Sequence, residues 1–544
     1  MNKLSIQAAA SRPMRLLLLC LLLLGSNPEV LANNILVSNA RIVPVTPYVN
    51  THTFVGFDLS WDNSWRDTYN WDAAWVFVKF RTPATFGGDD IWRHAWLSTD
   101  NTHHSIGNAN STAATTNTGT TMIDGLGNTI ATGGDNRGMG VFLYRSALGN
   151  GAINWQDIRL RWNFSDQGVD ITKPVQIQVF AVEMVLVAEG AFAAGDGVPS
   201  AGFTLTTINT ATATTVPAGT GSLGGAAGGY PTGQTAPAAT WPNGFGSFYL
   251  MKYELSQQQY VDFLNTLTRT QQAARVSAVT AARFASTGDA QTTPLNRIGV
   301  KVMTDPGGTN PRVYGCDLNN NNSAGEAADG QWIAMGFLAW MDGAAYTAWA
   351  GLRPYTELEF EKAARGWASP VLGEYAWGTT SITGAGTAAG NYSNAGTESE
   401  GVTVANANAI YSGNALLSGP GRVGMFATGS STRQQAGASY WGIMELSGNL
   451  HEQTVTIGEV TGRGFTGLHG NGNLTTAGHA NIPTWPGMTG SPLQITGSTG
   501  SGIRGYAFDS AITNLRVSDR AGAASAQVSR TAALGFRAAR SEPF

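Results

Sequence analysis

Three histidines, His451, His469 and His479, fall in one short stretch of the chain, and neutral imidazole suits iron, copper or zinc. Converging, they could hold a metal; apart, they brace loops. Cysteine offers less, because Cys20 lies in the amino-terminal apolar run and Cys316 is then alone, unable to close an internal disulfide. The run DLNNNNSAGEAADG sets Asp317, Asn319, Asn321 and Ser323 at alternating positions, as at the start of a calcium loop. Asn322 stands where such a loop has its turn glycine, and Ala328 where it has a bidentate glutamate, so an asparagine-rich turn is the competing reading. Glu357, Glu359 and Glu361 could suggest carboxylate chemistry, yet at the opening of a helix acids serve the cap and the dipole. G-x-S-x-G, phosphate-loop and H-E-x-x-H patterns are absent.

The elements that must position these groups differ along the chain. From Asn34 to Val187 the apolar pattern alternates, as in Val55-Phe57-Leu59-Trp61, Ile158-Leu160-Trp162-Phe164 and Val175-Ile177-Val179-Ala181, which turns one face of each strand inward. An antiparallel β-sandwich over 33–182 is expected, with a long polar loop from Asn108 to Asn136. Trp61, Trp65, Trp71 and Trp75 are either core wedges, the favoured reading, or an exposed aromatic platform. A second domain is expected over 183–544, with a Gly/Thr/Ala-rich insertion at 198–246. It holds helical spacing at Tyr260, Phe263, Leu264 and Leu267, again at Ala345, Ala348 and Trp349, and a capping box of Thr356 and Glu359. Beyond Trp367 the glycine density predicts loops and short strands.

Composition narrows the partners. Of 544 residues 12% are charged, about half the usual ~25%, and 32 Lys plus Arg against 36 Asp plus Glu leave a net charge of -4. No basic block tracks a phosphate backbone, so nucleic acid is excluded as a partner. Lys3, Arg12 and Arg15 precede the apolar run Leu16 to Leu24, and Val30-Leu31-Ala32 closes a segment that reads as a cleavable secretory signal peptide over 1–32. That run is far short of the ~20 residues needed to span a bilayer, and no transmembrane segment is expected in the mature chain. A secreted, extracellular or cell-surface protein follows.

The order of several boxes resembles the formylglycine-generating enzyme, or sulfatase-modifying factor, family over about 183–544. FYLMKYELSQQQYVDFLN is followed by WMDGAAYTAWAGLRPYTELEFEKAARG, then EYAWG, GIMELSGNLHEQ, GIRGYAFDSAITNLRVSDRAGAA and LGFRAAR. The family's RLPTEAEWE box corresponds to Arg353 to Glu361, its GLYDMxGNVWEW box to Gly442 to Gln453, and its GFR to Gly535-Phe536-Arg537. The resemblance implies an α+β, irregular C-type-lectin-like fold rich in loops.

It also implies chemistry that this chain departs from. The family's oxidases use two cysteines near the carboxyl end to hold copper(I), and none stands between Arg504 and Arg540. Its sulfoxide synthases use an H-x3-H-x-E run that is also missing. Copper and iron are therefore not expected, nor is oxidase activity. The resemblance does imply calcium, with the carboxylates of Glu445 and Glu452 and the carbonyls of Gly448 and Leu450 as ligands. It places a candidate ligand groove at His451, Arg463, His469, Trp485, Arg504 and Phe508. The leading reading is an exported non-catalytic member that binds an extracellular ligand or self-associates; the alternative is a metal-dependent oxidase working through the histidines on an exported peptide or metabolite.

Overall fold

The computed structural model describes residues 34–542 except 48, 107–113, 118–137, 171, 198–201, 213–215, 220–228, 287 and 414–417. The signal peptide, most of the Asn108 to Asn136 loop and parts of the 198–246 insertion lie outside the described residues. The fold is mostly sheet with few helices.

Two sheets organise the amino-terminal half. Strands β1 (Leu36–Val43), β2 (Thr53–Arg66) and β5 (Gly149–Trp162) run antiparallel in the order β1-β2-β5, with Ser105–Ile106 at the far edge. The larger sheet has the order β10-β7-β6-β3-β4, followed by Ala114–Asn117. Its members are β3 (Asp72–Arg81), β4 (Val141–Arg145), β6 (Gln176–Val187), β7 (Phe248–Met251) and β10 (Ala539–Ser541). Side chains in a strand alternate between faces, and this sheet uses both. Ala74, Val76, Val78 and Phe80 of β3 join Val55, Phe57, Leu59 and Trp61 of β2 in one apolar cluster. Trp75 and Phe77 point the other way, into a cluster with Tyr260, Phe263, Tyr346 and Trp349 of the helices α1 (Gln257–Leu264) and α3 (Trp340–Trp349). Burial on both faces is why β3 reads DAAWVFVKF, nearly continuous in apolar residues, where β2 alternates.

The boundary expected at 182/183 falls inside β6. That strand pairs with β3 from Asp72↔Val185 to Arg81↔Gln176, and with β7 from Phe248↔Val187 to Met251↔Met184. β7 in turn pairs with β10, Leu250 opposite Ala539. The carboxyl-terminal strand thus closes a sheet begun by the amino-terminal region, and one hydrogen-bonded ladder crosses the expected division. The four tryptophans of the 61–75 run mainly follow the core reading: Trp61 and Trp75 are buried, Trp65 and Trp71 half-buried.

After β7 regular structure is sparse. Helix α1 opens on the box Ser256/Gln259, α2 (Arg269–Arg275) on Thr268/Gln271, and α4 (Glu357–Arg365) on Thr356/Glu359 as the sequence predicts. The short pair β8 (Glu452–Val455) and β9 (Ser501–Arg504) ties the last loops together. No described helix is long and apolar enough to cross a membrane.

Candidate functional site

Helix α4 turns its acids inward, onto arginines. Glu357 accepts from Arg520 Nε at 2.7 Å and Arg504 Nη1 at 3.2 Å, and also from Thr456 Oγ1 and the amide of Ile457. Glu361 pairs with Arg504 Nη2 at 2.7 Å and with Arg365, while Glu359 takes a two-pronged bond from Arg353 at 2.6 and 2.9 Å. Burial pushes the Glu361 carboxyl up, but Arg365 and Arg504 outweigh it and hold it below its ordinary value. All these side chains are essentially inaccessible, so the lattice fixes loops and offers nothing to a solute.

That lattice takes in Arg504 of the groove expected from the resemblance. Arg504 is fully buried and committed to Glu357 and Glu361. Arg463 is buried against Ile457 O and Gln234. Trp485 is buried in the core, its indole donating to Leu468 O. His469 is buried with Nε2 accepting from the Ser541 amide, and burial, with Arg540 and Arg353 nearby, keeps it neutral. Phe508 is buried in the cluster of Leu450 and Ala507, and His451 lies edge-on to Tyr506. Five of these six residues are buried, and His451 is half-buried with its Nδ1 unpaired. A chain with few charges spends its arginines on anchoring loops, and the sequence could not show which guanidinium faces inward.

Among the histidines, burial lowers His451 to about 4, His469 is held by Ser541, and His479 Nδ1 sits 3.0 Å from Arg275. Among the described residues no three His, Cys, Asp or Glu side chains form a group that could hold a metal. Cys316 is buried, and burial pushes its thiol up, away from the thiolate form that binds metal.

The loop of Asp317, Asn319, Asn321 and Ser323 holds a cation of its own. Lys301, on the neighbouring strand Val300–Thr304, places Nζ 2.6 Å from Asp317 and 2.9 Å from both Asn320 and Asn322. Asn319 and Asn321 donate to Glu326, and the Ser323 amide to Asn321. The turn is built around an ammonium.

At the Gly442 to Gln453 box the donors are in better order. Glu445 is buried; one oxygen accepts from the Gly424 amide at 2.6 Å and the other, Oε2, meets no donor. No described hydrogen bond reaches the carbonyls of Gly448 or Leu450. Glu452 is already engaged, by the Tyr355 hydroxyl at 2.7 Å and by Arg537. Glu254 accepts from the Leu450 amide and from Asn449, so three buried carboxylates crowd one loop. Burial, then the other two acids, push Glu254 well up. Arg537 answers Glu452 and the three carboxylates form no metal-holding group, so the free oxygen ligands here are Glu445 Oε2 and the two carbonyls, a donor type that suits a hard cation.

A family model for the sulfatase-modifying factor enzyme 1-like domain matches residues 176–542, beginning at the first residue of β6. The chain belongs to the sulfatase-modifying factor family. Comparison with curated proteins gives no match. The family domain therefore takes in all of β6, the strand through which the amino-terminal β-region joins it.

At that junction lies an opening the sequence did not single out. A cleft of about 550 Å³ runs between the end of the β2/β5 strand pair, with Trp65 and Asn150, and the family domain's Tyr253, Thr432, Tyr440 and Met444. Its floor carries Lys252, whose ammonium lies 4.8 Å from the Trp65 ring centroid and is neutralised by Glu183 and by Asp72 at 3.6 Å. Burial opposes the Lys252 charge, but Glu183, Tyr253 and Asp72 raise its pKa and keep it an ammonium. Asp72 belongs to β3 and Lys252 to the family domain, so this buried pair also pins the two regions together. The one hint in the sequence was Trp65 in its aromatic run.

Proposed function

We propose that this chain is an exported, non-oxidising member of the sulfatase-modifying factor family that binds an extracellular ligand in the junction cleft. The observation that carries the reading is a contrast: five of the six expected groove residues are buried, whereas the junction cleft is open and lined by aromatic, amide and hydroxyl groups. Its volume lies within the range of about 300 to 1,000 Å³ typical of small-ligand sites. The finer fold assignment, an amino-terminal β-sandwich set on a C-type-lectin-like domain, suits a binding module. The signal-like residues 1–32 support export.

Calcium has a structural role in this reading. Glu445 Oε2 and the carbonyls of Gly448 and Leu450 would hold it, while Glu452 braces the loop through Tyr355 and Arg537. Metal analysis of residues 33–544 should give near one calcium per chain, lost in Glu445→Gln; stoichiometric copper or iron would contradict the reading. For the cleft, ligand-observed NMR with a panel of saccharides, amino acids and aryl amides should find a class of solute whose binding Trp65→Ala abolishes. Binding indifferent to Trp65 would sink the cleft assignment.

A further inference from the structure

The cleft continues outward onto three exposed aromatic rings. Tyr69 is 53% exposed, Trp367 38% and Tyr440 37%, in a chain whose large aromatics are otherwise mostly covered. Tyr69 lies 5.5 Å from Trp367 and Trp367 lies 6.5 Å from Tyr440, centroid to centroid, with interplanar angles of 59° and 58°. Tyr440 also lines the cleft, so the three rings and the cleft form one surface. The backbone is shaped to hold it. Gly366 ends α4 at φ 63°, and a Cβ there would come within 2.1 Å of the Tyr440 ring, so only glycine lets that ring lie flat across the helix end. Trp367 is fixed from below by Trp441, edge-on at 5.0 Å.

The cleft is electrically quiet, while the exposed carboxylates of Asp67 and Glu189 stand beside Tyr69 and Trp367. Lys252 is neutralised beneath Trp65 by Glu183 and Asp72. Arg433, the other cation in the cleft, spends its guanidinium on the carbonyls of Ala364 and Ala376 and lies over Tyr440 at 5.7 Å. No carboxylate lines the cleft. What faces solvent is ring surface edged by the amide of Asn150 and the hydroxyls of Ser431 and Thr432. An anionic ligand would lose hydration here and meet Asp67 and Glu189 in place of a counter-charge. A purely apolar one would bury the amide and hydroxyls unpaired.

We infer that the Tyr69–Trp367–Tyr440 surface and its cleft bind a neutral oligosaccharide chain, sugar rings stacking on the aromatic faces and hydroxyls bonding to the amide and hydroxyl rim. The inference rests on the cleft being the ligand site and names its ligand class. Exposed apolar patches of this kind mark interaction sites.

The test is isothermal titration of residues 33–544 with cellohexaose, laminarihexaose, maltohexaose and chitohexaose, alongside a Trp-rich peptide and a sulfated oligosaccharide. At least one neutral hexasaccharide should bind, weakened about tenfold by Trp367→Ala and by Tyr440→Ala, the loss of one stacking ring. Trp367→Phe should restore most of the affinity, which a folding defect would not allow. Preference for the sulfated sugar or the peptide, with Trp65-dependent binding retained, would overturn the glycan inference and leave the cleft reading standing. No Trp65-dependent binding by any solute would overturn both.

Discussion

The amino-terminal sheets and the family domain spend the same scarce resource, charge, in opposite ways. In the β-region the ion pairs away from the junction sit at the rim, such as Arg41 with Asp157 at 43% and 31% side-chain exposure and Arg93 with Asp89 at 44% and 46%, and Asp72 with Lys252 is the buried exception. Its interior is the apolar cluster of β2, β3 and β5. In the family domain the pairs are internal: Arg504 with Glu357 and Glu361 at 0%, Arg353 with Glu359 at 2%. Ladders satisfy the backbone of the first region, so side chains are free to be apolar. The second is mostly loop, and its arginines reach across the chain to carbonyls and carboxylates that no ladder pairs. Buried charge in this protein ties elements to one another: the acids of helix α4 meet arginines of distant segments, and Asp72 of β3 meets Lys252 across the junction.

The largest expected effect breaks the internal lattice. Glu357→Ala leaves Arg504 and Arg520 short of their shared partner and should destabilise by about 3 to 5 kcal/mol in chemical denaturation. Leu143→Ala, which opens a cavity between the two sheets, should cost about 2 to 4 kcal/mol. A Glu357→Ala effect smaller than that of Leu143→Ala would erase the contrast between the regions.

Acid sharpens it. Glu361 and Glu400 are held below their ordinary value because nearby arginines outweigh burial. The stability they supply is complete above the unfolded carboxylate pKa of about 4.3 and lost as pH falls through their folded values. Asp262 is the reverse: burial raises it to about 6. Its folded pKa exceeds the unfolded one, so it costs stability at neutral pH and the cost disappears as pH falls from about 6 to about 4. A Tm profile should therefore peak between about pH 4.5 and 6, and Asp262→Asn should add about 1 kcal/mol at pH 7 while leaving the acid limb in place. The smallest effect belongs to the rim: Arg41→Ala should change stability by less than about 0.5 kcal/mol.

Much of this was legible in the sequence where the signal is local. Alternation in Val55 to Trp61 gives a strand and its buried face, and the Thr356/Glu359 capping box gives the start of α4, because both depend on neighbours a few residues away. The boxes from Arg353 to Arg537 identify the family for the same reason. What the sequence hid is long-range. Nothing near Asp317 announces that Lys301 will fill its loop, and nothing near Arg504 announces Glu357. Strand β6 looked like the end of one domain because its pairing with β7 and β10 joins segments far apart in the chain. The junction cleft was hidden most completely, since Trp65, Tyr253 and Tyr440 share a wall only after the sheet closes.

The proposed function is that the family scaffold here binds and does not oxidise. The direct test is to incubate residues 33–544 with a cysteine-containing peptide, copper(I), a thiol reductant and oxygen, and to follow the peptide by mass spectrometry. The account predicts that the cysteine side chain survives without enzyme-dependent conversion to an aldehyde. Enzyme-dependent aldehyde formation, lost on substitution of His451 or Cys316, would contradict it.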